Sequence, residues 1–269
     1  MHFILIDGSY FIFYRFHALI AWWKHANKID LENASQCQEF IDKFTKVFIQ
    51  KVEEIPKKIN KIISHTGTNI TIVLKDCPRS EIWRMQHLPL YKGTRVTNKK
   101  FDAKFFFNLA YNELYKQSGV NTIISSPNLE ADDCVALTAK HITKEYPDAH
   151  ISIIANDMDY LQLCSNNVKL YDLKFNDITQ TTKSTGDPLK DLFCKIVMGD
   201  KSDNISGIFP KCGIKTALKY YDNPELFHNK LLENPEYNKL FERNKLIIDF
   251  NNIPPYLVEQ FYKDCLLIK

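Results

Sequence analysis

Five short runs of β-branched and aliphatic residues, most of them ending on an aspartate, constrain this chain more than any other feature. Residues 3–6 lead to Asp7, 70–74 to Asp76, 151–154 to Asp157 and 168–171 to Asp172, while 122–124 lead to Ser125. Each run is apolar without clear alternation, the pattern of a strand covered on both faces. Segments of helical spacing lie between them, over 37–64, 101–117 and 131–145. Pro56 is expected to break or kink the first, because it donates no hydrogen bond and its ring crowds the preceding turn. The aromatic stretch 10–23 reads as a helix packed in the core. Strand, helix, strand in repetition predicts a mixed, largely parallel α/β sheet with right-handed crossovers. Ligands of such sheets bind beyond the carboxyl ends of the strands, where these aspartates fall.

Past residue 188 the strand signal stops. Segments 189–198, 215–221, 225–232, 237–250 and 255–265 all read as helices, after a polar surface turn at 179–186. Two parts are expected: an α/β core over 1–187 and a helical part over 188–269, a division that suits 269 residues. Composition is that of a soluble protein with a real core, at 45% hydrophobic and 25% charged residues. The net charge of +3 neither requires nor excludes a nucleic-acid partner, so local charge has to decide. The seven cysteines are scattered without a Cys-x-x-Cys pair, which argues for reduced thiols and against a zinc knuckle. No apolar run reaches membrane-spanning length and no signal-peptide pattern opens the chain, so a cytoplasmic protein without membrane contact is expected.

The acidic residues are the chemical signal. Glu130, Asp132 and Asp133 open the helix after the third strand, and Asp159 follows Asp157. Asp200 and Asp203 sit where the helical part begins. Any one of these is an ordinary turn former or helix cap. As a set they converge, because a parallel sheet brings its strand ends to one edge. Like charges in one cleft repel, and a fold keeps them mainly when cations neutralise them. Oxygen-only ligands favour Mg²⁺ or Mn²⁺ over zinc. Two such ions roughly 4 Å apart activate a water and stabilise the leaving oxygen of a phosphodiester. Lys195, five residues before Asp200, is placed to steady phosphate charge, unless it is simply a solvated helix lysine.

Two segments suit nucleic acid. Between residues 75 and 104, eight Lys and Arg, including Arg79, Arg84, Lys92 and Arg95, face three acids, a local balance of +5. Trp83, Tyr91 and Phe105 are interleaved. Cations with aromatics suit a single strand, phosphates paired and bases stacked, although a solvated loop has the same composition. The second segment, 204–217, carries Gly207 and Gly213 and then Lys215 and Thr216 at a helix start. Backbone N–H groups at such a turn hold a phosphate without reading sequence.

Together these motifs resemble the 5′-nuclease, or flap endonuclease, superfamily, and within it the stand-alone enzymes of tailed bacteriophages, including the phage RNase H type. Leu129 to Asp133 is similar to the family's E-A-D-D helix start, and Ala155 to Asp159 to its D-x-D strand end. Gly199 to Asn204 is similar to G-D-x-x-D-N, and Tyr91, Lys92 and Arg95 to the arch pattern Y-K-x-x-R. The resemblance implies a PIN-like core with a basic arch at 77–104 and a helix–three-turn–helix-like segment at 204–221. It implies that Asp7, Asp76, Glu130, Asp132 and Asp157 surround one metal ion. Asp159, Asp200 and Asp203 then lie near a second, with Asp133 accessory. Lys92, Lys195 and Asp157 are the implied catalytic groups. Arg79, Arg84, Tyr91, Lys92, Arg95, Gly207, Gly213, Lys215 and Thr216 are the expected DNA contacts. Implied partners are DNA with a 5′ flap or 5′ end, RNA–DNA hybrid, and a replication polymerase or single-strand-binding protein. The enzyme is expected as a monomer, in cytoplasm that includes that of a virus-infected host cell. The family hairpin also implies a K⁺ ion. Here Lys211 stands at one of its glycine positions, and one residue is inserted between Gly207 and Gly213. A DNA-binding accessory protein without catalysis and a PIN-type RNase are the alternatives.

Overall fold

The computed structural model describes residues 1–27, 31, 33–95 and 102–265. Strand β1 (His2–Asp7) lies at the centre of a five-stranded sheet, between β2 (Asn69–Leu74) and β4 (His150–Ile154). The edges are β3 (Thr122–Ile124) and β5 (Val168–Tyr171), giving the order β3-β2-β1-β4-β5. Every pairing is parallel. Asp7 lies opposite Leu74, and Ile6 opposite Ile154, so Asp7, Asp76 and Asp157 leave adjacent strands at one edge.

Alternate strand residues feed two cores. Ile4 and Ile6 pack with Phe11 and Phe16 of α1 (Gly8–Asn27) and with Phe44 and Phe48 of α2 (Gln38–Ile63). Helix α3 (Ala103–Leu109), a π-turn at Ala110–Leu114 and α4 (Tyr115–Gln117) complete that layer. Phe3 and Leu5 pack with α5 (Ala131–Glu145) on the other face. The expected break at Pro56 does not occur: α2 runs through it. Interior proline costs about 3 kcal/mol. Against that, α2 buries Phe40, Phe44, Phe48, Val52, Ile55 and Ile59 in one stripe, each at about 1.5–3 kcal/mol. The packing outweighs the local defect.

The remaining helices are α6 (Pro188–Met198), α7 (Ile214–Asp222), α8 (Pro224–Leu232), α9 (Pro235–Ile248) and α10 (Pro255–Cys265). Asp187, Asn223 and Asn234 cap the starts of α6, α8 and α9 with their side chains, each just before a proline. A third core joins Cys194, Val197, Ala217 and Ile248 of these helices to Cys77, Ile82 and Tyr91. The described part of the basic segment is thus folded onto the helical part. Positions 96–101 of the expected arch lie outside the described residues. Helix α10 returns to the sheet, where Leu257 and Phe261 join the core of Phe3 and α5. Among the described residues no helix is long and apolar enough to cross a membrane.

At the opposite edge of the sheet, His2 is fully buried, with Nδ1 2.8 Å from Asn69 and Nε2 2.9 Å from Ser152. Burial pushes its imidazole pKa down, with His65 and His150 nearby adding repulsion. The folded chain therefore holds His2 neutral, while the unfolded chain takes up its proton below about pH 6.5. Stability contributed by this site is present above that pH and is lost as pH falls toward the folded pKa. Chemical denaturation of wild type and His2→Phe between pH 8 and 5 is expected to show a steeper loss in wild type. Parallel curves would contradict the assignment.

Candidate active site

Three carboxylates leave neighbouring strands. Asp7 ends β1, its oxygens accepting from the Tyr10 backbone (3.0 Å) and the Tyr160 hydroxyl (2.9 Å). Asp76 accepts from the Ala131 backbone at 2.8 Å. Asp157 caps the turn Met158–Leu163 by accepting from the Asp159 N–H at 3.0 Å. Burial, reinforced by Asp76, pushes the Asp7 carboxyl up to about 7.

The start of α5 brings a group of carboxylates together. Glu130, Asp132 and Asp133 each offer an oxygen within 4.8 Å of the others. Glu130 and Asp133 form a reciprocal capping box, so the local rule for a helix start also builds the acidic group. Asp133 is fully buried and occupied: Arg84 grips both of its oxygens at 2.7 Å, and the Trp83 indole donates at 3.0 Å. Arg84 donates also to Glu130 (3.0 Å) and to the Ile247 carbonyl (2.7 Å). Burial alone raises a carboxyl pKa, yet Lys92 and Arg84 outweigh it at Glu130 and leave that pKa lowered. Burial pushes Asp132 well above the usual carboxylate range.

The second group, Asp159, Asp200 and Asp203, is equally tight, within 4.8 Å. It depends on a turn after α6 in which Asp200 and Ile205 exchange backbone hydrogen bonds. Gly199 enters that turn at φ +71°, where an added Cβ would lie 2.4 Å from the Ile205 carbonyl oxygen, so only glycine fits. The Lys195 ammonium lies 2.6 Å from Asp159 Oδ1 and 2.5 Å from Asp200 Oδ2. Asp159 Oδ1 is buried, and the Lys195 ammonium is the cation that faces it. Burial and Asp157 push the Asp159 carboxyl up to about 7. Burial opposes ionisation of Asp200 too, but Lys195 and Ser202 prevail and hold it down to about 2.

Lys92 joins the two groups. Its ammonium is 2.5 Å from Glu130 and 3.7 Å from Asp203. Its backbone, at φ +55°, donates to the Asp203 carbonyl at 2.9 Å. Tyr91 and Arg95 hold the Asp203 carboxylate at 3.0 and 2.6 Å. Of the expected DNA contacts, Arg79 is exposed and Arg95 half-exposed, whereas Arg84 and Tyr91 are buried, at 2% and 3%. Their polar atoms serve the acidic groups, because the basic segment folds inward over α5. Gly207 packs against Met198, where a Cβ would meet its carbonyl oxygen at 2.7 Å. Gly213, Lys215 and Thr216 stand exposed at the start of α7.

The residues fit a hard divalent cation. The donors are carboxylate oxygens throughout, they lie in two tight groups, and burial together with neighbouring carboxylates pushes Asp7 and Asp159 up, a cost that a bound cation would relieve. Spacing found these acids. It found neither Tyr160 on Asp7 nor Gln162, which donates to the Asp159 carbonyl at 3.0 Å. Neither has a local signal.

Residues 2–188 match the family model for the 5′-3′ exonuclease N-terminal resolvase-like domain. A 5′-3′ exonuclease of Buchnera aphidicola is 32% identical over 126 residues, 44% of this chain and 43% of that one. The flap endonuclease of Escherichia phage T5 is 30% identical over 166 residues, covering 56% of this chain and 55% of its own. The chain thus spans about half the length of these relatives or less. In three dimensions it shares the fold of the T5 5′-exonuclease solved with zinc, at TM-score 0.65 and 20% identity, with 98% of each chain covered.

Proposed function

This chain belongs to the 5′-3′ exonuclease family through its N-terminal resolvase-like domain, and from that premise we propose that it is a divalent-metal-dependent 5′-nuclease. It hydrolyses phosphodiesters near 5′ ends, as exonuclease and flap endonuclease, and removes RNA primers in DNA replication. The observation that carries this reading is the meeting of two carboxylate groups under one lysine, Lys92. Asp7, Asp76, Glu130, Asp132 and Asp157 would hold one Mg²⁺, and Asp159, Asp200 and Asp203 a second, with Mn²⁺ able to substitute. Such ions, when bound, lower the pKa of a water and neutralise charge on the phosphodiester. Lys92 and Arg95 meet the scissile phosphate and the 5′ strand. Lys195 neutralises the Asp159–Asp200 pair and steadies phosphate charge. Asp133 supports its neighbours through Arg84.

Duplex backbone docks on the segment 204–221, where Lys215 and Thr216 stand exposed at the start of α7, the positive end of its helix dipole. Lys211, exposed at φ +55°, adds a fixed positive charge to the turn that K⁺ would otherwise share. The substrate is DNA with a 5′ flap or 5′ end, or an RNA–DNA hybrid. A replication polymerase and a single-strand-binding protein are its working partners, the chain itself acting as a monomer in the cytoplasm.

Cleavage of a 5′-flap DNA is expected to exceed cleavage of unstructured RNA of equal length by at least about 10²-fold, since geometry rather than base identity directs the cut. It should also fall steeply as salt rises from 50 to 200 mM, by counterion release. Equal cutting of unstructured RNA would favour the PIN-type RNase, and a flat salt response would remove the backbone-contact picture.

A further inference from the structure

Two side chains meet the same helix end. The last carbonyls of a helix have no partner within it, and they carry the negative pole of its dipole. At the end of α9 the Ile247 carbonyl accepts from Arg84 Nε (2.7 Å) and the Ile248 carbonyl from Gln162 Nε2 (3.1 Å). From there each side chain reaches a different acidic group. Arg84 continues to Glu130 and Asp133. Gln162 continues to the backbone carbonyl of Asp159 (3.0 Å), while its own oxygen accepts from the Phe250 N–H (2.9 Å). Helix α9 is itself anchored: the fully buried Asn244 amide donates to the carbonyls of Ile196 in α6 (3.0 Å) and of Ser206 (2.9 Å).

We propose that the carbonyl end of α9 positions both carboxylate groups at once, through Arg84 for Glu130 and through Gln162 for Asp159. The inference rests on the metal-nuclease reading and deepens it. Gln162 and Arg84 are positioning residues: they touch no reacting atom. Gln162 fixes the turn Met158–Leu163, and with it the placement of the Asp159 carboxylate that Lys195 pairs at 2.6 Å. Only a side chain that donates to two carbonyls and accepts from one N–H satisfies this point, and glutamine does so. Ligand groups need placement within about 0.5 Å, and loss of an outer partner typically weakens a metal site 10–100-fold. Because one helix end serves both groups, a displacement of α9 disturbs both sites together.

The test measures Mn²⁺ binding to the full chain by calorimetry and electron paramagnetic resonance, beside flap-cleavage kinetics. Gln162→Met and Gln162→Glu are both expected to weaken Mn²⁺ binding about tenfold and to lower kcat about tenfold, with KM for the flap little changed. Glutamate fails alongside methionine because it cannot donate. Arg84→Lys keeps the charge but not the planar fork, and is expected to weaken Mn²⁺ binding as well. Phe261→Leu, in the sheet core, serves as the control: it lowers the melting temperature without changing Mn²⁺ affinity. If Gln162→Met behaves like that control, with a lower melting temperature and unchanged Mn²⁺ affinity, the proposal is overturned. If wild type binds no Mn²⁺ at all, the metal-nuclease reading itself falls.

Discussion

Replacing Lys92 with methionine is expected to lower the rate constant of flap cleavage about 10²–10³-fold, the range for removing one preorganised charge from a reacting phosphoryl group. The ammonium lies between Glu130 and Asp203, with its side chain only 14% exposed. Burial opposes its charge, but Glu130, Asp132 and Asp203 outweigh it and raise its pKa. It therefore stays charged throughout the working pH range. Methionine keeps an unbranched stem and removes the ammonium, and with it the ion pairs to Glu130 and Asp203 and the cation–π contact over Tyr91. Flap affinity should change by only a few-fold, since other cations carry most backbone contacts. Single-turnover cleavage with separate binding titration distinguishes the two effects. A loss confined to binding would make Lys92 a docking residue only.

Arg84→Met is expected to destabilise the fold by about 3–5 kcal/mol, the usual result of leaving a buried charge partner uncompensated. Arg84 is 2% exposed, and Asp133 beneath it has no contact with solvent. Removing the guanidinium strands Asp133 and weakens the hold on Glu130 and the Ile247 carbonyl. For a chain of this size the melting temperature should drop by on the order of 10 °C. Adding Asp133→Asn should recover part of the loss, because the carboxylate left without its partner is the main penalty. A double variant no more stable than the single one would place the damage elsewhere, at Ile247 or Trp83.

Much of this is legible in the sequence itself. β1, β2, β4 and β5 are short apolar runs followed closely by Asp7, Asp76, Asp157 and Asp172, and parallel pairing alone gathers the first three. Helix α5 begins where Glu130 and Asp133 said it should, because a capping box is a local signal. Pro56 does not break its helix, since a rule about one residue meets a stripe of six buried side chains. Arg84 and Tyr91 read as a solvated, strand-binding surface because charge and aromatic content are local properties. Their burial depends on Asp133 and Asp203, 49 and 112 residues away. The return of α10 to the sheet was equally hidden: an amphipathic pattern states that a face is covered, not by what. Gln162 and Tyr160 lie in a turn whose sequence announces only Asp157 and Asp159.

The most direct measurement is cleavage of a 5′-labelled flap substrate by wild type and Asp157→Asn, each in Mg²⁺ and in EDTA. Asp157 is exposed, repels both Asp7 and Asp159, and caps its turn with a geometry asparagine can keep. Wild type should cut near the flap junction in Mg²⁺ and not in EDTA, and the variant should bind the flap while cutting it at least about 10²-fold more slowly. Flap binding with no cutting in any divalent ion, or cutting that survives EDTA, would contradict a metal-dependent nuclease built on these carboxylates.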